Sequence, residues 1–133
     1  MNDQQTAVMR ECGALSLRGE IAFPDVVRKL DEVGVERYHA DLSRVEKTYY
    51  LLGGETLVES MGSLALPIGG SFEATFIESA LRQIQRGEID YVTFLRKIVS
   101  SGCVGYWVHI TGRCALYLGR RGEVFREAFP PTP

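Results

Sequence analysis

The stretch from Arg18 to Glu55 recurs, without a gap, as Arg86 to Glu123. A shift of 68 positions lays Arg18-Gly19-Glu20-Ile21 on Arg86-Gly87-Glu88-Ile89 and Arg28-Lys29 on Arg96-Lys97. It also lays Gly34 on Gly102, Tyr38 on Tyr106, Tyr49 on Tyr117 and Gly54-Glu55 on Gly122-Glu123. These are 11 identities in 38 aligned positions. Average residue usage would give roughly two or three by chance. A duplication restricts the fold, because both halves must follow one plan and bury their apolar faces.

The second half shows the plan more clearly. Ser71 is read as a helix N-cap, followed by an apolar stripe of Phe72, Phe76, Ile77, Ala80, Leu81 and Ile84. Arg86 suits the last turn and Gly87 the left-handed stop. A second helix spans about Tyr91 to Ser101, with Phe94, Leu95 and Ile98 inward and Gly102 at its end. Val104 to Ile110 is rich in β-branched and aromatic residues. Thr111-Gly112 supplies a turn, and Arg113 to Gly119 returns.

The first half repeats this order. A helix covers about Asp3 to Leu17, with Val8, Cys12 and Leu15 inward and Gly19 as its stop. Pro24 fits the first turn of the next helix, whose stripe is Phe23, Val26, Val27, Leu30 and Val33, closed by Gly34. Strands follow at about Val35 to Leu42 and Val45 to Leu52. Residues 56–70, polar and Gly-rich with Pro67 inside, read as a mobile linker. A short further strand is expected at Val124 to Ala128, and a frayed extended tail after Phe129.

The fold class is therefore α+β. Two helix-helix-hairpin units, residues 3–55 and 71–123, form one antiparallel sheet of about four strands with helices on one face. A lone hairpin is marginal, so the halves need each other and form a single domain. The length of 133 residues fits that. With 15 basic against 17 acidic residues the net charge is −2, which gives no reason to expect nucleic acid as a partner. No stretch approaches a membrane span. The N-terminus lacks a basic and an apolar secretory region, so the expected location is the cytoplasm. Cys12, Cys103 and Cys114 are odd in number and lack CxxC spacing, and are read as buried free thiols.

The C-terminal half carries Gln85-Arg86-Gly87-Glu88, Tyr91 to Leu95, Gly102, Tyr106, Thr111-Gly112-Arg113, Tyr117, Gly119, Gly122-Glu123 and Glu127 to Pro130. The first half carries Asp41-Leu42, Lys47-Thr48-Tyr49-Tyr50 and Gly54-Glu55. This series resembles a domain-of-unknown-function (DUF) family of small bacterial and prophage proteins, sometimes labelled phage-envelope-like. The Ala-Gly-Val element of that pattern is Ser101-Gly102-Cys103 here. The resemblance implies the fold and a cytosolic setting, and brings no activity, cofactor or catalytic residue with it.

Side chains alternate between the faces of a strand. Tyr38 and Tyr106, with Ala40, Leu42, Val108 and Ile110, are assigned to the core face. The opposite face then carries Trp107 and His109, with Arg37, His39 and Asp41 as counterparts. Three-residue hairpin turns would set Trp107 opposite Tyr117, His39 opposite Tyr49 and Asp41 opposite Lys47. A two-residue turn at Thr111-Gly112 would instead turn Tyr117 inward, and the sequence leaves the two registers open. The candidate binding residues are Trp107, Tyr117, His39, Tyr49, His109 and Asp41.

This composition suits a homodimer or host-protein interface, and a peptide or small aromatic ligand is the sharper alternative. A small enzyme using His39, His109 or the turn residues Glu55 and Glu123 is a further reading, and a phage structural role a weaker one. No nucleophile accompanies the histidines, so the reading leans away from catalysis. GxGxxG, P-loop and HExxH patterns are absent from the sequence, and neither a cofactor nor a metal is expected.

Overall fold

The structure is a computed structural model that describes residues 1–130. The expected tail conformation at residues 131–133 lies outside the described residues. In chain order the elements are α1 (Asp3–Leu17), α2 (Phe23–Glu32), β1 (Val35–Asp41), β2 (Glu46–Leu51), β3 (Thr56–Ser60), α3 (Ala74–Gln85), α4 (Tyr91–Ser100), β4 (Cys103–His109), β5 (Cys114–Gly119) and β6 (Val124–Ala128). None of these helices is long and apolar enough to cross a membrane.

The helix boundaries follow local chemistry. Asn2 and Gln5 cap α1 reciprocally: the Gln5 N–H donates to Asn2 Oδ1 and the Asn2 N–H to Gln5 Oε1. Pro24 lies in the first turn of α2. Asp90 accepts the Thr93 N–H at 2.9 Å to start α4. Gly19, Gly34, Gly87 and Gly102 all follow helices with positive φ. Gly102 is doubly constrained. Its φ is +85°, and a Cβ there would lie 2.2 Å from the Ser71 carbonyl oxygen.

Helix α3 starts later than expected. Ser71 does not cap it; the N-cap is Glu73, whose side chain makes no capping bond. The Glu73 N–H instead donates to the Ser101 carbonyl at 2.9 Å, tying the segment to the end of α4. Phe76, assigned inward from the stripe, is 61% exposed.

The sheet has six strands, in the order β3-β2-β1-β4-β5-β6, where about four were expected. The error lay in the linker. Thr56–Ser60 pairs antiparallel with β2, and Val124–Ala128 pairs likewise with β5. The helices also do not stay strictly with their own hairpins, because α1 packs on α4 and β3 as well as on α2.

Both hairpin loops contain four residues, Leu42–Val45 and Ile110–Arg113. Each ends in a left-handed residue, Val45 at φ 56° and Arg113 at φ 59°. Asp41 Oδ1 accepts the N–H groups of Ser43 and Arg44, both at 3.0 Å, and sets the first turn. Compared with a three-residue turn, this loop shifts the partner by one position and exchanges the faces of β2 and β5. Tyr38 therefore pairs with Tyr49, Tyr106 with Tyr117, and Asp41 with Glu46. The three-residue register is excluded on all three counts, and Tyr117 turns inward as in the alternative register left open for the second hairpin.

The halves meet along β1 and β4, where His39 pairs with Trp107. Tyr38 pairs with Val108 and Ala40 with Tyr106, so each pair matches the other under the 68-residue shift. A pseudo-two-fold axis thus passes at His39 and Trp107.

Candidate functional site

The six sequence-assigned residues divide between the two sheet faces. His39, Asp41, Trp107 and His109 stand on the outer face, half-exposed. Trp107 lies 4.7 Å from His39 and 5.7 Å from His109 between ring centroids. Tyr49 and Tyr117 do not join them; both are buried on the helix-covered face. Tyr50 takes the outer place instead, 5.6 Å from Trp107, with the Arg37 guanidinium 4.3 Å above its ring. Burial pulls the His39 imidazole below its ordinary pKa, against the opposing pull of Asp41. Asp41 already accepts two loop N–H groups. Glu55 and Glu123 do not pair with each other: Glu55 meets the N-terminal ammonium, and Glu123 accepts the Arg121 N–H.

The inner face carries two cross-strand rows. One is Leu57-Tyr49-Tyr38-Val108-Ala115-Glu127, and the other is Glu59-Lys47-Ala40-Tyr106-Tyr117-Phe125. The repeat maps each row onto the other. The apolar and tyrosine positions correspond, and so do Glu59 and Glu127. Each of these glutamates meets an arginine from the first helix of its own half. Arg10 of α1 lies 3.4 Å from Glu59, and Arg82 of α3 lies 2.8 Å from Glu127. One position breaks the match: Lys47 stands where the second half has Ala115.

Lys47 is 5% exposed. No ion pair among the described residues includes it. Its cross-strand neighbour Glu59 is engaged by Arg10. The Lys47 ammonium instead lies 4.7 Å from the centre of the Tyr91 ring and 5.4 Å from that of Tyr38. Burial acts to lower its pKa. The phenols of Tyr91 and Tyr49 act to raise it, and the balance lies above the ordinary lysine value. Burial pushes Tyr49 up to about 12 despite the opposing pull of Lys47. It holds Tyr38 and Tyr106 well above the ordinary tyrosine value. These phenols are therefore neutral hydrogen-bonding groups near pH 7. The Tyr91 and Tyr106 hydroxyls bond to each other.

Lys47 forms the floor of a cleft of about 1450 Å³ together with Tyr38, Tyr106, Ala115 and Tyr117. One wall is the α1–α2 turn and α2, with Ile21, Phe23 and Val26. The other is α3 and α4, with Leu81, Ile84, Tyr91 and Phe94. The end of β6 closes one side, where Phe129 meets Phe23 edge to face at 5.5 Å. Charged side chains including Arg28, Lys29, Arg82 and Glu88 also line it, so apolar wall patches and polar groups occur together, as in a ligand site. Among the described residues no cluster of three His, Cys, Asp or Glu side chains could hold a metal.

The hairpin register hid this site from the sequence. With Lys47 assigned opposite Asp41, its side chain was placed on the outer face. The available signal was the parity of Lys47 and Tyr49 within the Lys47-Thr48-Tyr49-Tyr50 run, since both must share a face.

The protein-family model described as "Protein of unknown function (DUF1398)" matches residues 18–127. The chain belongs to this family. The matched region contains both hairpins, all four tyrosines of the inner rows and Lys47. No curated protein matches the sequence.

Proposed function

We propose that the chain is a single-domain, non-catalytic binding module and that its ligand occupies the cleft between α2 and the α3–α4 pair. The cleft over the tyrosine floor is the observation that carries this reading. Two walls of apolar side chains stand apart above polar atoms held in place by strand register. A neutral naphthyl probe, 2-naphthylmethanol, tests it through its own fluorescence. Binding is expected to the wild type and to be lost on Ala115→Phe, which adds a ring to the cleft floor. Equal binding by both proteins, or none by the wild type, overturns the reading.

A second reading concerns self-association through the outer face. Tyr50, Trp107 and Leu116 lie outside the core cluster on that face. Arg37 and Asp41 flank His39 on the same side of β1, so a second copy crossing antiparallel at His39 would set Arg37 against Asp41. Size-exclusion chromatography is the test. The wild type is expected to elute as a dimer and Trp107→Ala as a monomer; identical elution removes the reading.

A further inference from the structure

We infer that the cleft ligand is an organic acid, with one carboxylate seated at Lys47 and an apolar body lying between α2 and α4. This rests on the cleft being the binding site, and it adds the chemical class of the ligand. The basis is an uncompensated charge. Within the inner rows, Glu59 is matched by Arg10 and Glu127 by Arg82. Lys47 is the added charge, present in one half and replaced by Ala115 in the other. It is buried at the cleft floor, its ammonium lies over phenol rings, and its cross-strand neighbour Glu59 is paired with Arg10 instead of with it.

Burying an ammonium without an anion is costly. The ring faces of Tyr91 and Tyr38 offset part of that cost. A carboxylate entering the cleft would complete the pair, and in a site shielded from water that attraction exceeds its value at a surface. The Tyr91 and Tyr106 hydroxyls, which bond to each other, also line the cleft, and the one that accepts in that bond keeps its own proton to donate. The wall side chains Leu81, Phe94 and Val26 would receive an apolar body, because they offer it no polar partner.

A buried lysine can also serve as a nucleophile that attacks a carbonyl and forms a Schiff base. That chemistry needs a neutral amine near pH 7, produced by desolvation or a neighbouring cation. The balance at Lys47 lies in the other direction, above the ordinary lysine value, so the amine stays protonated. The group is thus suited to hold an anion.

Two probes of the same shape provide the test: 2-naphthoate and 2-naphthylmethanol, titrated into the full chain and followed by calorimetry. The wild type is expected to bind the acid about tenfold tighter or more, the increment of one charge-assisted hydrogen bond. Lys47→Met is expected to abolish that preference, so that this variant binds the two probes within about twofold of each other. Equal affinity of the wild type for both probes overturns the inference while leaving the cleft as the binding site. So does a preference that survives Lys47→Met. If neither probe binds the wild type, the cleft reading falls and this inference falls with it. The wild-type comparison needs no variant, so a poorly folding Lys47→Met protein would not prevent a decision.

Discussion

His39 and Trp107 face each other across the β1–β4 pair at equivalent positions of the repeat, with ring centroids 4.7 Å apart. The contact depends on Gly105, which stands where the first half has Arg37. A Cβ on Gly105 would lie 2.7 Å from the Ala40 carbonyl oxygen and 3.3 Å from His39 Nε2. The two halves thus diverged as a set at this seam: a small residue in one strand admits the ring of the other.

The His39 contact carries a pH dependence. Burial lowers the folded-state pKa of His39 below the value of about 6.5 expected in the unfolded chain. The unfolded chain therefore binds a proton first as pH falls. The contribution of His39 to stability is complete above about pH 6.5 and is lost as pH falls through the lower folded value. Urea denaturation from pH 8 to pH 5 is expected to show this loss in the wild type and less of it in His39→Phe. Parallel profiles for the two proteins would contradict the assignment.

Lys47 is a charged side chain buried in the core, and its effect on stability is open to measurement. Lys47→Met keeps the length of the side chain and removes the buried charge, so it is expected to be neutral or stabilising by about 1–2 kcal/mol. Lys47→Glu sets a second carboxylate beside Glu59 and is expected to cost about 3 kcal/mol or more. Chemical denaturation of both variants checks the pair. A Met variant weaker than wild type by a similar amount would mean that the ammonium stabilises the fold.

The Tyr91–Tyr106 hydroxyl pair is open to a double-mutant cycle. Tyr106→Phe is expected to cost about 1 kcal/mol, since the half-buried Tyr91 hydroxyl can still turn toward water. Tyr91→Phe leaves the more deeply buried Tyr106 hydroxyl without its partner and is expected to cost more. Additive losses in the double variant would show that the two groups are not coupled.

Two glycines separate backbone strain from steric clash. Gly54 has φ +95°, and an alanine methyl there would meet no atom within 4 Å. Gly102 has φ +85°, and a methyl there would meet Ser71 and Phe72 backbone inside 3 Å. Gly54→Ala is expected to cost about 1 kcal/mol. Gly102→Ala is expected to cost about 2 kcal/mol or more, because the α3 approach must also move. Thermal melts giving equal losses would remove the proposed clash.

The repeat was legible wherever both halves kept the same residue. Gly34 and Gly102 end helices, and Tyr38 and Tyr106 anchor the core, as their matching suggests. Strand β3 was missed because Thr56–Ser60 is a short edge strand with Thr56 and Ser60 at its ends and Glu59 at a half-buried position, and so resembles a linker. Glu59 and Glu127 share the 68-residue spacing, which marks β3 as the counterpart of β6. The outer placement of His39 and Trp107 needed only the parity of one strand. The positions of Tyr49, Tyr117 and Lys47 depended on loop length, which the turn residues left open. A single residue in each loop thus decided which face of the sheet held the site.

The connection from β3 to α3 is fastened at its far end. The Gly69 N–H donates to the Val99 carbonyl at 2.8 Å, and Arg120 donates to the carbonyls of Ile68 and Gly69 at 2.7 and 3.1 Å. Residues 68 and 69 therefore belong mechanically to the second half, although they follow the first in the chain. A protease cut near Ser63 would divide the protein where neither half relies on the broken bond. The two fragments, joined along β1 and β4, are expected to stay together and to reassemble when mixed, which would make this chain a natural scaffold for split-protein reporters.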